Sequence, residues 1–189
     1  MEEKRFNPKH LDKLNNPKRL ISLPIEFIVE KAAIENPKVI IDLGAGTGFF
    51  STHFAEIYKQ SKVYACDISD TMVDWMKENL LPKYDNIIPL KMEDSCVHLN
   101  NDFADFLFMI NLHHELDSPQ KTLNECCRLL KSNGKIAISD WKKEKTEQGP
   151  SIELRYDAKE VKEQLIVAGF NKISIYTELL TNFLIIAEK

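Results

Sequence analysis

An acid followed by glycine at every second position, Asp42-Leu43-Gly44-Ala45-Gly46-Thr47-Gly48, is the stretch best suited to hold a ligand. Glycine lets backbone pass a ligand without a Cβ in the way, and it permits φ > 0 in a sharp turn. Val39-Ile40-Ile41 before it reads as a buried parallel strand, and Phe49-Phe50 after it opens a helix. The turn therefore delivers its ligand to the carboxyl end of a strand and the amino end of a helix, where open α/β sheets bind cofactors. A second acid, Asp67, ends the run Val63-Tyr64-Ala65-Cys66 about twenty residues further on. An acid there can accept both hydroxyls of an unphosphorylated adenosine ribose.

The spacing differs from the G-x-G-x-x-G fingerprint whose amides hold a dinucleotide pyrophosphate. No arginine or lysine stands in the turn to offset the acids. An NAD-dependent oxidoreductase is disfavoured on both counts.

A third group of polar residues, Asn111, His113, His114 and Glu115, follows the apolar run 103–110. These are the first polar side chains past a strand end, so His113 or His114, with Asn111 and Glu115, is expected to contact a second substrate. A histidine there can orient that substrate or take its proton near neutral pH. The other reading has one histidine capping the next helix while Glu115 orients a loop. Three consecutive residues do not converge easily on one ion, unlike histidines at i, i+4, so no metal site is expected. Cys126 and Cys127, beside Leu123 and Leu129, read as small core residues of a helix, and Cys66 as a strand residue.

Composition sets the frame. The chain has 189 residues, 43% hydrophobic and 29% charged, which fits one globular domain with a proper core. A net charge of -4 gives no general attraction for nucleic acid phosphates. The lysines around Trp141 are interleaved with acids and read as a solvated loop. Met1-Glu2-Glu3-Lys4-Arg5 has no apolar run behind it, so no signal peptide is expected, and no stretch reaches the length of a membrane span. The four cysteines lack C-x-x-C spacing and are expected as reduced thiols in a cytoplasmic protein.

Short apolar runs alternate with amphipathic stretches, the pattern of a parallel α/β sheet. Helices are predicted over 49–58, over 70–80 with Asp70 as cap, over 118–130 with Pro119 in the first turn, and over 157–168 with Gly169 at the C-cap. Strands are predicted over 39–41, 62–66, 87–90, 103–110 and 135–139, the last entered by an Asn133-Gly134 turn. Runs 172–176 and 183–187 are joined too closely for a helical crossover and should pair antiparallel. Residues 1–36 are broken by Asn16-Pro17 and Leu23-Pro24 into short helical pieces. They form an extension before a domain over 37–189, either a lid on the cofactor cleft or a packing segment.

Together, the glycine turn and Asp67 resemble motif I and the following acidic strand end of class I S-adenosylmethionine-dependent methyltransferases. Ile110-Asn111-Leu112-His113-His114-Glu115-Leu116 and Leu129-Leu130-Lys131-Ser132-Asn133-Gly134-Lys135 resemble the ubiquinone-biosynthesis-like group of that family (methyltransferase domain 11/25-like). Trp141, Lys142, Lys143, Gly149, Pro150 and Arg155 extend the likeness, which runs from about Leu11 to the end.

The resemblance implies a three-layer α/β sandwich with a seven-stranded, mostly parallel sheet whose last strand is antiparallel. The cofactor it implies is S-adenosyl-L-methionine. Gly44, Ala45 and Gly46 would approach its methionyl portion, Asp42 its amino group, Asp67 its ribose and Ile68 its adenine face. The turn after the third strand lacks the family's usual glycine, so Glu93 or Asp94 would meet the adenine amino group. A backbone carbonyl at Asn111 would face the sulfonium, whose positive charge suits these acids. Methyl transfer is an in-line displacement served mainly by alignment, so no obligatory catalytic residue follows. The Asn/Asp-Pro-Pro-Tyr of DNA amino-methyltransferases and the Pro-Cys of cytosine C5 enzymes are both absent. A small-molecule acceptor is expected, without nucleic acid or membrane, while the motifs carry no oligomeric state. The alternative is a cofactor-binding sensor or accessory protein without transferase activity.

Overall fold

The dense apolar run at residues 103–110 becomes a strand, β4 (Ala104–Ile110), that is covered on both faces. Phe106 and Phe108 enter one buried cluster, Leu107 and Met109 the other. Period-two alternation with both sets apolar is what a central parallel strand requires. The computed structural model describes residues 11–189; residues 1–5, on which the signal-peptide expectation rests, lie outside them.

Six further strands join β4: β1 (Val39–Leu43), β2 (Lys62–Asp67), β3 (Ile87–Lys91), β5 (Leu130–Trp141), β6 (Asn171–Tyr176) and β7 (Asn182–Glu188). Their spatial order is β3-β2-β1-β4-β5-β7-β6. Only β7 runs against its neighbours, antiparallel to both β5 and β6. Helices α3 (Ile25–Ala32), α4 (Phe49–Ile57) and α5 (Asp70–Asn79) cover one face through Ile28, Phe54 and Met76. Helices α6 (Pro119–Leu129) and α7 (Ala158–Val167) cover the other through Leu123, Cys126, Val161 and Leu165. Phe54 stacks on Phe108 at 4.3 Å between ring centroids. Each such fully buried side chain contributes on the order of 1.5–3 kcal/mol of transfer free energy. The layers are helix, sheet, helix.

Two short helices, α1 (Leu11–Leu14) and α2 (Arg19–Ser22), precede α3. Pro17 and Pro24 separate the pieces, because proline restricts the residue before it to extended backbone. None of the described helices is long and apolar enough to cross a membrane.

Three local expectations are corrected. Ser69, not Asp70, caps α5: its backbone is extended at φ -90 and ψ 122, and its hydroxyl accepts from the Met72 amide at 3.4 Å. Asp70 is already helical, and its carboxylate pairs with Lys91 at 2.8 Å. Asn133-Gly134 is not a turn before β5 but an irregularity inside it. The strand begins at Leu130 opposite Ala104, and its register shifts before Lys135 meets Phe106. Asn133 takes a φ of 64° there, and Lys189 exchanges backbone hydrogen bonds with Asn133 and Gly134. At α7 the C-cap is Ala168, and Gly169 stands one residue beyond it. Asp157 and Glu160 form a reciprocal capping box, and Gly169 at φ 98° lets the Phe170 amide reach back to Leu165 O.

The chain runs outward from β1 to β3, then returns to start β4 on the other side of β1. The strand order reverses there, so the loops after β1 and β4 splay apart and leave a crevice at their carboxyl ends.

Candidate functional site: the crevice after β1 and β4

Gly44, Gly46 and Gly48 adopt φ values of +74°, +58° and +71°, so the alternation of glycines answers a backbone need. The amides of Gly44 and Ala45 both donate to Cys66 O, at 2.8 and 2.9 Å, which locks the turn against the end of β2. The Gly46 amide donates to Asp67 Oδ2 at 2.7 Å, and the Ser69 amide to Asp67 Oδ1 at 2.8 Å. Asp67 is only 8% exposed. Burial pushes its carboxyl above the ordinary value, and the two amide bonds partly offset that.

Asp42 lies deeper, 3% exposed, and accepts the Ser51 hydroxyl at 2.6 Å. Burial pushes it up to about 7, with the charge of Asp67 adding to the shift and Ser51 and Arg19 opposing it. Arg19 comes from α2. Its guanidinium lies 4.5 Å from the Phe50 ring centroid and donates to Leu14 O at 2.7 Å, while burial pushes its pKa down to about 10. Beside it, Thr47 Oγ1 donates to Asn15 Oδ1 at 2.9 Å, and Leu14 Cδ1 lies 3.1 Å from where a Cβ on Gly46 would stand. The segment around α1 and α2 thus lies on the glycine turn and brings a cation to its acids.

Asn111, just past β4, takes the left-handed conformation at φ 55°. Its side-chain oxygen accepts from Asn182 Nδ2 at 2.7 Å. Leu112 packs its methyl groups over Gly44, within 2.7 Å of where a Cβ would stand. A 3₁₀ turn, His113–Glu115, follows. His113 does not stand in the wall of the crevice: its side chain is fully buried, Nε2 meets Gln164 Oε1 at 2.8 Å, and Tyr156 packs against the ring edge to face at 4.9 Å. That imidazole is part of the packing between the 3₁₀ turn and α7. His114 has a different partner, Asp140 at the end of β5, whose carboxylate meets its backbone amide at 3.0 Å and its Nδ1 at 2.8 Å.

The turn after β3 lies beside Asp67, since the Met92 amide donates to Asp67 O at 3.0 Å. Glu93 and Cys96 close it as a bridge, with Asp94 exposed near its tip. The Glu93 carboxylate is directed at His98 Nε2, 3.1 Å away. Ile68 is half-buried against the α6 face, and its carbonyl accepts from Lys91 Nζ at 2.6 Å.

Sequence reasoning missed Asp140, Ser51 and Asn182. Asp140 left a signal, because it stands next to last in β5 as Asp42 does in β1, while Asp67 is the last residue of β2. Ser51 and Asn182 left none, being polar residues of a helix and a strand edge whose partners lie elsewhere in the chain. The thiols of Cys66 and Cys126 are free, buried and pushed up by that burial.

A family model described as a methyltransferase domain matches residues 41–138. The crystal structure of a SAM dependent methyltransferase from Aquifex aeolicus matches with a TM-score of 0.91 at 30% identity, covering 97% of this chain and 99% of that one. A curated relative, the tRNA(Phe) (4-demethylwyosine(37)-C(7)) aminocarboxypropyltransferase of Methanocaldococcus jannaschii, is 30% identical over 141 residues, which are 74% of this chain and 55% of the relative. The ubiquinone/menaquinone biosynthesis C-methyltransferase of Francisella tularensis subsp. novicida is 25% identical over 118 residues, 61% of this chain and 47% of the relative. The chain spans about half the length of these curated relatives.

Proposed function

Because the chain belongs to the methyltransferase-domain family, we propose that it is an S-adenosylmethionine-dependent methyltransferase with a small-molecule acceptor. The observation that carries this reading is the bond from the Gly46 amide to Asp67 Oδ2. It joins the glycine turn to the acid at the end of β2, at the point where the strand order reverses.

The side chains suit the cofactor. Each Asp67 oxygen is oriented by one backbone amide and retains a second acceptor position, as a ribose diol requires. Asp42 is a buried acid available to an ammonium group, directly or through water. Gly44, Ala45 and Gly46 would pass the methionyl chain, with Leu112 swinging aside from Gly44. Ile68 would lie on the adenine, with Glu93 or Asp94 at its amino group, and the Asn111 carbonyl would face the sulfur. Bound S-adenosylmethionine supplies a methyl group already activated on a cationic sulfur. The chain then has to align the acceptor and exclude water, and proximity accounts for much of the acceleration.

Leu14, Asn15 and Arg19 support reading the described part of the extension before residue 37 as a cover over this cleft and 37–189 as the catalytic domain. The net charge of -4 favours a small acceptor over nucleic acid. Free thiols at all four cysteines fit the cytoplasm.

Thermal melting tests the reading. S-adenosylmethionine or S-adenosylhomocysteine should raise the melting temperature, while NAD and NADP should not. Stabilisation by NAD alone would overturn it. Turnover of a metabolite mixture should release S-adenosylhomocysteine. Release of methylthioadenosine would assign transfer of the aminocarboxypropyl group instead, and binding without any turnover would assign a sensor.

A further inference from the structure

Asp140 is 3% exposed and accepts hydrogen bonds from the His114 amide at Oδ2, from His114 Nδ1 at Oδ1, and from the Trp141 amide at Oδ1, at 3.0, 2.8 and 2.7 Å. A carboxylate can only accept, so the proton of the neutral imidazole is on Nδ1 and its lone pair is on Nε2. Glu115 Oε1 lies 3.8 Å from Nε2. His114 also lines a cavity of about 260 Å³ together with Lys143, Glu153, Leu154, Arg155, Tyr156 and Glu160. Two residues earlier in the same loop, Leu112 lies on Gly44. One short segment therefore links the glycine turn to the cavity.

The charges around the cavity are unequal. The Arg155 guanidinium is engaged by the carbonyls of Lys142, Glu144, Gln148 and Pro150 and by Thr146 Oγ1, which leaves it no donor for a ligand. Lys143 stands 3.5 Å from Glu160. The Arg155 charge persists although its donors are taken, yet Asp140, Glu115, Glu153 and Glu160 outnumber the two cations, Lys143 and Arg155. A carboxylate or phosphate ligand would meet net repulsion, whereas Tyr156 and Leu154 offer a wall to an uncharged one.

Resting on the methyltransferase reading, we propose that this cavity receives the acceptor, that Asp140 is the positioning residue holding His114 with Nε2 as proton acceptor, and that the site selects small neutral molecules whose attacking atom carries an ionisable proton. The acceptor's lone pair forms the bond to the methyl carbon, the carbon–sulfur bond breaks with its electron pair on sulfur, and the acceptor's proton passes to His114 Nε2. The imidazolium is then held between Asp140 and Glu115 until it releases the proton to solvent. Burial lowers the His114 pKa, but Asp140 and then Glu115 more than compensate, against a smaller opposing effect of Arg155. Lys143, Glu153, Glu160 and Tyr156 are the other ionisable groups around the cavity.

The test is nitrogen-15 NMR of the histidine-labelled full chain saturated with S-adenosylhomocysteine, with His114→Gln to assign the signal. Wild type should show the Nδ1–H form of His114, titrating above the ordinary histidine value of about 6.5. In Asp140→Asn the signal should titrate at lower pH and lose its single tautomer. Glu115→Gln should also titrate lower while keeping the tautomer, and if Asp140→Asn fails to fold, an Nε2–H form of His114 in wild type overturns the proposal by itself. Phenol, a neutral probe with an ionisable proton, should shift the His114 signal, and benzoate should not. Unchanged titration in the variants, benzoate acting as strongly as phenol, or no response to either probe overturns the proposal. Failure of S-adenosylhomocysteine to bind at all would instead overturn the methyltransferase reading beneath it.

Discussion

Ser51 Oγ donates to Asp42 Oδ2 at 2.6 Å, so the first turn of α4 holds the acid that stands next to last in β1. Asp42 is thereby kept inside the protein at the foot of the glycine turn, with its carboxyl pushed up by burial to about 7. An acid whose native pKa exceeds its unfolded one binds a proton in the native state that the unfolded state has already lost. Its effect on stability is nil well below pH 4. Stability then falls as pH rises from about 4 to 7, and the loss is constant above that window.

Asp42→Asn retains an acceptor for Ser51 and carries no charge. The ligand-free variant should melt higher than wild type at pH 8 and lose this part of the slope between about pH 4 and 7. Its affinity for S-adenosylmethionine should fall about tenfold as the cation loses its partner. Parallel melting curves for the two proteins across that range would mean that Asp42 ionises like an exposed acid.

Asp67→Ala removes the acceptor of the Gly46 and Ser69 amides together with the proposed ribose contact. Charge-assisted hydrogen bonds are worth roughly 1.5–3 kcal/mol each, so calorimetry should report at least a tenfold weaker S-adenosylhomocysteine complex. Amide exchange at Gly46 should accelerate in the free protein. An unchanged dissociation constant would move the pocket elsewhere.

Gly46→Val places a β-branched residue at φ +58°, with Leu14 only 3.1 Å from its Cβ. The left-handed conformation alone costs roughly 1–2 kcal/mol. Lower stability and loss of cofactor binding are both expected, and thermal melts with and without S-adenosylhomocysteine separate the two effects. Full stabilisation by ligand in this variant would contradict the placement of the methionyl chain.

Arg155→Met should loosen residues 142–150. Arg155 is 5% exposed, and without its guanidinium four backbone carbonyls lose a donor. A penalty of about 3 kcal/mol or more is expected in denaturant unfolding, since breaking a buried charged network leaves unsatisfied groups. Hydrogen exchange should rise over that loop and leave β1 and β4 unchanged.

His113→Ala removes a fully buried ring packed on Tyr156. Stability should fall by about 2–4 kcal/mol, as for other large-to-small core changes, while affinity for S-adenosylhomocysteine stays within a few-fold. A variant as stable as wild type would return His113 to the crevice.

The elements that build the crevice were legible because their causes are local. Period-two apolar runs, proline breaks and the glycines of the turn each act within a few residues, and Asp67 is recognisable from its place after a strand. The exceptions are also local but finely balanced. Ser69 and Asp70 are both good caps, and backbone dihedrals alone select between them. Asn133-Gly134 has turn chemistry, yet pairing of Leu130 with Ala104 and contacts from Lys189 draw it into β5.

The roles of His113 and His114 were a different matter. They are adjacent in a 3₁₀ turn of three residues per turn, so their side chains diverge by about 120°. Nothing in the turn says which one meets the core. Gln164 of α7 engages the first and Asp140 of β5 the second. Likewise, no periodicity marks Arg155 as the centre of a loop or Arg19 as a cation over the glycine turn. The sheet, the turn and the acids near its strand ends follow from the order of residues alone, because propensity and patterning act along the chain. Which polar side chain faces which partner is settled by packing, because those partners lie far apart in sequence and meet only when the helices dock on the sheet.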